Sequence, residues 1–316
     1  MRQPYGRQHL IGHVPAALTE HFEVMTKRAL VTGAGGFVGS ALTSALQCRG
    51  WRCIAAVRRQ TGGDSEVVLD FEDPSISKKV AATPRCDAII HLASHVDFSN
   101  EAAPADFFAT NILASSLLCH LARNWNAHLV LASGTLVFGK TSFVDASSVP
   151  APDTPYAAAK WLCEQIVEQA GIAHTILRIG GIIGRRGPRH LGLNRTIDAA
   201  LDLRKIPTLV GGAPARRNYV YVHDLAETIV ECVTNRTLGT HLVAGRQTLT
   251  MQEMLQSVCD VFLPGQSPEQ LEGVGSPDMI VRPSDALPSG RSFQAALEDI
   301  RIREGRHTDP AAERSS

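Results

Sequence analysis

The chain has 316 residues, of which 44% are hydrophobic and 20% charged, and its 31 Lys and Arg side chains balance 31 Asp and Glu. Such a chain can bury a sizeable core and is neither fibrous nor disordered, and the charge balance does not suggest nucleic acid as a partner. Its length predicts one large α/β domain with a smaller lobe.

The seven cysteines are scattered without a Cys-x-x-Cys pair or metal-ligand spacing, so reduced, mostly buried thiols and no metal site are expected. No apolar run approaches the ~20 residues that span a bilayer, and residues 1–24 lack a signal-peptide core. The expectation is a cytoplasmic protein with no membrane partner.

Residues 1–24 carry three histidines and two prolines without clear periodicity and read as an arm, with Met25 as an alternative start. The apolar run Ala29-Leu30-Val31 then predicts a strand. After a glycine turn, Val38, Leu42, Ala45 and Leu46 recur at helical spacing through Gln47, with Gly50 as the stop. Further strands are expected at 53–57, 67–69 and 88–92, with a short helical crossover over 74–80. Helices over 107–122 and 156–169 alternate with strands at 129–131 and 175–177. Apolar strands alternating with helices predict a doubly wound parallel sheet covered on both faces. After Gly184 the Pro, Gly and Arg content rises, marking a lobe over 185–216. Residues 217–245 return to the sheet domain, which is placed at 25–184, with a strand at 241–243. The segment 246–316 completes the lobe with an amphipathic helix over 250–262 and a polar tail beyond Gly305.

The run Val31-Thr32-Gly33-Ala34-Gly35-Gly36-Phe37-Val38-Gly39 lies between a strand and a helix, the context a dinucleotide fingerprint requires. Glycine is needed for the tight turn at Gly33, for backbone N–H groups to approach a pyrophosphate at Gly36, and for helix-on-strand packing at Gly39. A ligand-free βα turn is the alternative. Tyr156 and Lys160 stand four apart on one helix and share a face. A free phenol titrates near ~10, and a neighbouring ammonium favours its phenolate, so this pair suits acid–base work.

These segments together resemble the extended short-chain dehydrogenase/reductases, the NAD-dependent epimerase/dehydratase family, over about residues 25–245. The glycine spacing is G-x-x-G-x-x-G. Leu69-Asp70-Phe71 resembles the family's adenine-side acidic turn, His91-Leu92-Ala93-Ser94 its H-x-A-A strand end, and Leu177-Arg178 with Gly184 its R-P-x-x-x-x-G segment. The resemblance implies a Rossmann fold and an enzyme with Tyr156 as acid–base and Lys160 on the nicotinamide ribose. It also implies cofactor contacts at Gly33, Gly36, Phe37, Val38, Gly39, Asp70, Phe71, Leu92, Ala93 and Ser94. At the end of the second strand, Val57 replaces the carboxylate that would take both ribose hydroxyls. Arg58 follows it, so NADP(H) is favoured over NAD(H); a solvated basic edge is the alternative.

The family's catalytic Ser or Thr, counted back from Gly139, falls on Gly134, which has no hydroxyl. Thr135 is the preferred substitute, then Ser133, unless water or a substrate group fills the gap. Asn111 resembles the helix asparagine that supports a water link to the lysine, although an Asn satisfied within its helix would look the same. His95 lies at the carboxyl edge where substrates bind, or is an exposed loop histidine. Arg217, in Arg217-Asn218-Tyr219-Val220, resembles the family arginine that grips a nucleotide-sugar phosphate; Arg216 is a second candidate, and lobe-to-core salt bridging the alternative for both. The leading expectation is NADP(H)-dependent reduction or oxidation of a small or sugar-derived carbonyl or hydroxyl. A nucleotide-sugar epimerase or dehydratase is the runner-up, and a silent dinucleotide sensor the third reading, supported by Gly134. A homodimer is also expected, with Trp161, Leu162 and Ile166 as a seam or as ordinary core.

Overall fold

The computed structural model describes residues 26–63, 65–99, 101–211 and 215–307. The arm at 1–24, the alternative start at Met25 and the tail beyond 307 lie outside them. Seven strands form the main sheet: β1 Arg28–Thr32, β2 Arg52–Val57, β3 Glu66–Val68, β4 Ala88–His91, β5 His128–Gly134, β6 His174–Ile179 and β7 Gly239–Val243. Their spatial order is β3-β2-β1-β4-β5-β6-β7, and every neighbouring pair is parallel. The order reverses at β1, so a crevice opens between the carboxyl ends of β1 and β4.

The apolar runs explain the parallel arrangement. In β1 and β4, Ala29, Leu30, Val31, Ala88, Ile89 and Ile90 are all 0% exposed, which requires a covering layer on each face. Successive side chains point to opposite faces. Ala29, Val31 and Ile90 join a core with α1 (Phe37–Cys48) and α6 (Val222–Asn235), whereas Leu30, Ile89 and Leu129 join one with α3 (Ala114–Trp125) and α4 (Pro155–Gln169). The first core runs on without a break into the lobe helices α5 (Gly192–Leu203), α7 (Met251–Phe262) and α8 (Phe293–His307), through Ile197, Val258 and Leu297. The lobe is therefore packed on the sheet domain, not strung from it.

Most expected elements appear within a residue or two of their limits, with α2 (Ile76–Ala81) as the short crossover. The helix expected over 107–122 is instead three pieces: a 3-10 turn Pro104–Phe107, a π-helical segment Phe108–Leu113, and α3. This 22-residue stretch from Pro104 to Trp125 is long and apolar enough to cross a membrane by length and composition, a property the sequence reading missed. Its apolar side, through Phe107, Ala114, Leu118 and Leu121, is buried within the protein, which accounts for that character. Thr250 precedes α7 as its cap and does not belong to the helix: its hydroxyl accepts from the Glu253 N–H at 3.1 Å while the Glu253 carboxylate accepts from the Thr250 N–H at 2.7 Å.

Candidate active site

The glycine turn closes as the sequence requires. Gly33 has φ +71°, and a Cβ there would lie 2.8 Å from the Ala93 nitrogen. A Cβ on Gly39 would stand 2.1 Å from the Gly33 carbonyl oxygen, so helix and turn touch backbone to backbone. Gly36 precedes α1 as its cap with no side chain satisfying the helix N–H groups, and no acid stands in the first turn. Those unsatisfied donors and the positive end of the helix dipole suit a pyrophosphate. Gly35 and Gly36 are exposed, and Phe37 and Val38 half-buried. The cradle fits a dinucleotide because only glycine can occupy its tight points.

Around it, Thr32 receives the Ala93 N–H on its hydroxyl oxygen at 3.1 Å and pairs with His91 Nδ1 at 2.8 Å. Burial pushes the His91 imidazole down to about 3, with the charge of Lys160 adding to the effect, so this ring is neutral at working pH. Phe71 is buried and edge-on to His91, with centroids 6.4 Å apart. Asp70 accepts the Glu72 N–H at 3.1 Å. Leu92, Ala93 and Ser94 are half-buried at the end of β4. Arg58 is exposed just past β2, with no hydrogen bond or ion pair among the described residues.

Helix α4 begins at the carboxyl edge of the sheet, capped by Thr154, whose hydroxyl accepts from the Ala157 N–H at 3.2 Å. Tyr156 is half-buried, with the rings of Phe98 and Phe107 at 5.2 Å and 5.9 Å. Lys160 is buried and donates from Nζ to the Ala132 carbonyl at 3.0 Å. One turn on, Glu164 is fully buried and takes a two-pronged contact from Arg178, with Nη2 at 2.7 Å and Nε at 3.1 Å.

The remaining sequence candidates lie at the end of β5, in the turn that follows it, in the π-helical segment and in the loop after β4. Ser133 is buried, and its hydroxyl donates to Glu164; strand alternation turns it toward α4, and that hydroxyl is already committed. Gly134 is extended (φ −145°, ψ 156°), and Thr135 opens the 3-10 turn Thr135–Phe138 half-buried, with its hydroxyl unpaired among the described residues. Asn111 lies in the π-helical segment, where Oδ1 accepts the His95 N–H at 2.7 Å and Nδ2 donates to the His95 carbonyl at 3.1 Å. The extra residue per turn in a π segment rotates Asn111 onto the loop after β4. His95 is therefore fixed by its backbone, with its exposed ring 5.4 Å from Phe107.

The lobe contributes a cavity of about 660 Å³ beside α5 and α7, with Arg195, Lys205 and Arg217 in its wall and no acidic side chain among the described lining residues. Arg217 is braced there by the Arg216 carbonyl at 3.0 Å and the Pro277 carbonyl at 2.5 Å. Arg216 instead forms a forked ion pair with Asp278 within the lobe, at 2.7 Å and 3.0 Å. Sequence reasoning missed this cavity, because its three cations come from separate segments and share no local motif. It also missed Glu164; the one available hint was that Glu164 continues the four-residue spacing of Tyr156 and Lys160.

The model of the NAD-dependent epimerase/dehydratase family matches residues 29–245. The chain belongs to this family. The match runs from β1 to just past β7 and includes both the glycine cradle and the Tyr156–Lys160 pair. A UDP-glucose 4-epimerase from Rhizobium meliloti is 27% identical over 72% of this chain and 80% of its own length. Among solved structures, the UDP-N-acetylglucosamine 4-epimerase of Bacillus cereus superposes with a TM-score of 0.75, at 20% identity over 88% of this chain and 99% of that one. The dTDP-4-dehydrorhamnose reductase of Bacillus anthracis, solved with NADP, gives 0.72 at 20% identity over 88% and 100%. This epimerase/dehydratase-family chain is thus an NAD(P)-dependent enzyme of the extended short-chain dehydrogenase/reductase type.

Proposed function

We propose that this enzyme carries out hydride chemistry on the sugar of a nucleoside diphosphate sugar, with NADP(H) preferred. The basic cavity carries the reading: three cations and no acid in its described wall suit a diphosphate, and its volume of about 660 Å³ suits a nucleotide. The NADP(H) preference rests on Arg58, exposed past β2 without a counter-ion among the described residues and free to meet a 2′-phosphate.

The roles follow from placement. The cradle from Gly33 to Gly39 would hold the pyrophosphate and Lys160 the nicotinamide ribose. Bound there, a nicotinamide dinucleotide supplies the hydride donor or acceptor. Tyr156 exchanges a proton with the substrate oxygen, and Thr135 steadies that oxygen with a second hydrogen bond. Lys160, anchored on the Ala132 carbonyl, presents its ammonium beside the helix face that carries Tyr156. Phe98 and Phe107 shield the phenol from bulk water.

Net reduction of a keto-sugar is the primary form of the reading, because a 2′-phosphate site draws on the reducing NADPH pool. Epimerisation is the second, supported by the similarity to UDP-glucose 4-epimerases. The purified chain is incubated with NADPH or NADH and UDP- or dTDP-linked sugars and 4-keto-sugars. NADPH consumption marks a reductase, and isomer formation without net consumption an epimerase. Binding without turnover marks a sensor and refutes the catalytic reading. Tighter binding of NADH than NADPH, or parent-like NADPH affinity in Arg58→Ala, overturns the cofactor preference. A homodimer is proposed through Trp161 and Leu162, 38% and 44% exposed on α4. Ile166 is half-buried and packs against the core. A monomeric mass at working concentration would exclude the dimer.

A further inference from the structure

Two loops from different parts of the chain meet over Tyr156. Phe98, in the loop after β4, is 45% exposed although it is a large apolar side chain. Its ring stands edge-on to Tyr156 at 5.2 Å, and on its other side the His190 ring lies at 4.7 Å, tilted by 56°. His190 is exposed and precedes α5. Two residues on, Gly192 is in the wall of the basic cavity, as is Arg195 one turn into the helix. Ring contacts thus link Tyr156 to Phe98 and Phe98 to His190, and the chain leads from His190 within two residues to the wall of the basic cavity.

A substrate with its diphosphate in the cavity and its reacting carbon at Tyr156 must lay the intervening sugar along these residues. We propose that Phe98 and His190 are the specificity-determining residues of the sugar subsite, Phe98 as an apolar platform under the C–H face of the ring and His190 as a hydrogen-bonding partner for one of its hydroxyls. This rests on the nucleotide-sugar reading above. The chemistry is that of each side chain: an aromatic face takes apolar surface, and an imidazole donates and accepts from its two nitrogens. Neither residue belongs to a buried core cluster, and an exposed apolar ring held beside an exposed imidazole suits a surface that a ligand covers.

The test separates sugar from nucleotide. Affinities of UDP, dTDP, UDP-glucose and dTDP-glucose are measured by calorimetry for the parent, Phe98→Ala, His190→Ala and the conservative Phe98→Trp and His190→Asn. Each alanine variant is expected to weaken the sugar nucleotides by about five- to tenfold, the size of one lost hydrogen bond or aromatic contact. The free diphosphates and NADPH should bind as in the parent, and the conservative variants should recover most of the loss. Parent-like affinity for sugar nucleotides in both alanine variants, or an equal loss for UDP and UDP-glucose, overturns the subsite while leaving the nucleotide reading standing. A parent chain that binds neither diphosphate nor sugar nucleotide overturns that reading and the subsite with it.

Discussion

The hydroxyl missing at Gly134 makes a two-residue swap the sharpest test of the reaction centre. Thr135→Val keeps shape but removes a hydroxyl that is unpaired among the described residues at the exit of β5. If Thr135 steadies the reacting oxygen, kcat should fall about 10²-fold, the usual cost of one donor to a developing oxyanion, with little change in cofactor affinity. Restoring a hydroxyl one residue earlier is sterically open. Gly134 has φ −145°, which any residue adopts, and a Cβ there would meet nothing closer than the Ile179 carbonyl oxygen at 3.7 Å. Gly134→Ser should therefore fold without strain, and Gly134→Ser with Thr135→Val should regain about tenfold or more of the lost kcat. Ser133→Ala, by contrast, removes a group already committed to Glu164 and should change kcat by less than about threefold. NADPH absorbance with a keto-sugar nucleotide, or a coupled isomer assay, reads all four variants. Full kcat in Thr135→Val would refute the assignment, and a collapse in Ser133→Ala with unchanged stability would move it to Ser133.

Three further outcomes follow from the packing. Gly39→Ala places a methyl 2.1 Å from the Gly33 oxygen and 2.7 Å from the Ala34 Cα, backbone that cannot yield locally. NADPH affinity should fall by about tenfold or more, and a parent-like fluorescence titration would contradict the cradle. Glu164→Leu strands the Arg178 cation, whose side chain is 14% exposed against 0% for its partner, and should cost about 3–5 kcal/mol in urea unfolding. Adding Arg178→Met should return most of that; a single-variant loss below about 1 kcal/mol would refute the network's role. His91 is neutral in the fold, at about 3 against ~6.5 unfolded. Its stabilisation is complete above ~6.5 and is lost as pH falls toward 3, about 2 kcal/mol between pH 7 and 5. Burial lowers His128 in the same direction. A flat urea-unfolding profile over that interval would show that His91 is not buried neutral.

The legible parts of the site are those whose residues lie close in sequence. Gly33, Gly36 and Gly39 follow one another across a single turn, and Tyr156 and Lys160 share one helix face, so spacing alone carries their geometry. The Ser133–Glu164–Arg178 network instead depends on the parallel register that sets Ser133 beside Arg178, which no local pattern encodes. The basic cavity depends on how the segments bearing Arg195, Lys205 and Arg217 converge. The π-helical segment around Asn111 was illegible for another reason: it changes the angular step per residue, and an apolar helical pattern does not announce it.

Helix α4 shows why chemistry and stability are joined in this fold. It starts at the carboxyl edge of the sheet and descends along β5, so its four-residue stripe samples depth: Tyr156 is half-buried, Lys160 7% exposed and Glu164 0% exposed. The shallowest position can meet substrate, the middle one reaches a strand carbonyl, and the deepest tolerates a charge only because Arg178 and Ser133 answer it. The deepest contact joins α4 to β5 and β6 just below the loop that carries Thr135. On the proposed roles of Tyr156 and Thr135, a firm contact there would hold phenol and hydroxyl at a fixed separation, the preorganisation an oxyanion partner needs to act without moving. Loosening Glu164 should therefore lower kcat more than it weakens cofactor binding, since the glycine cradle hangs on β1 and α1, at a distance from that contact.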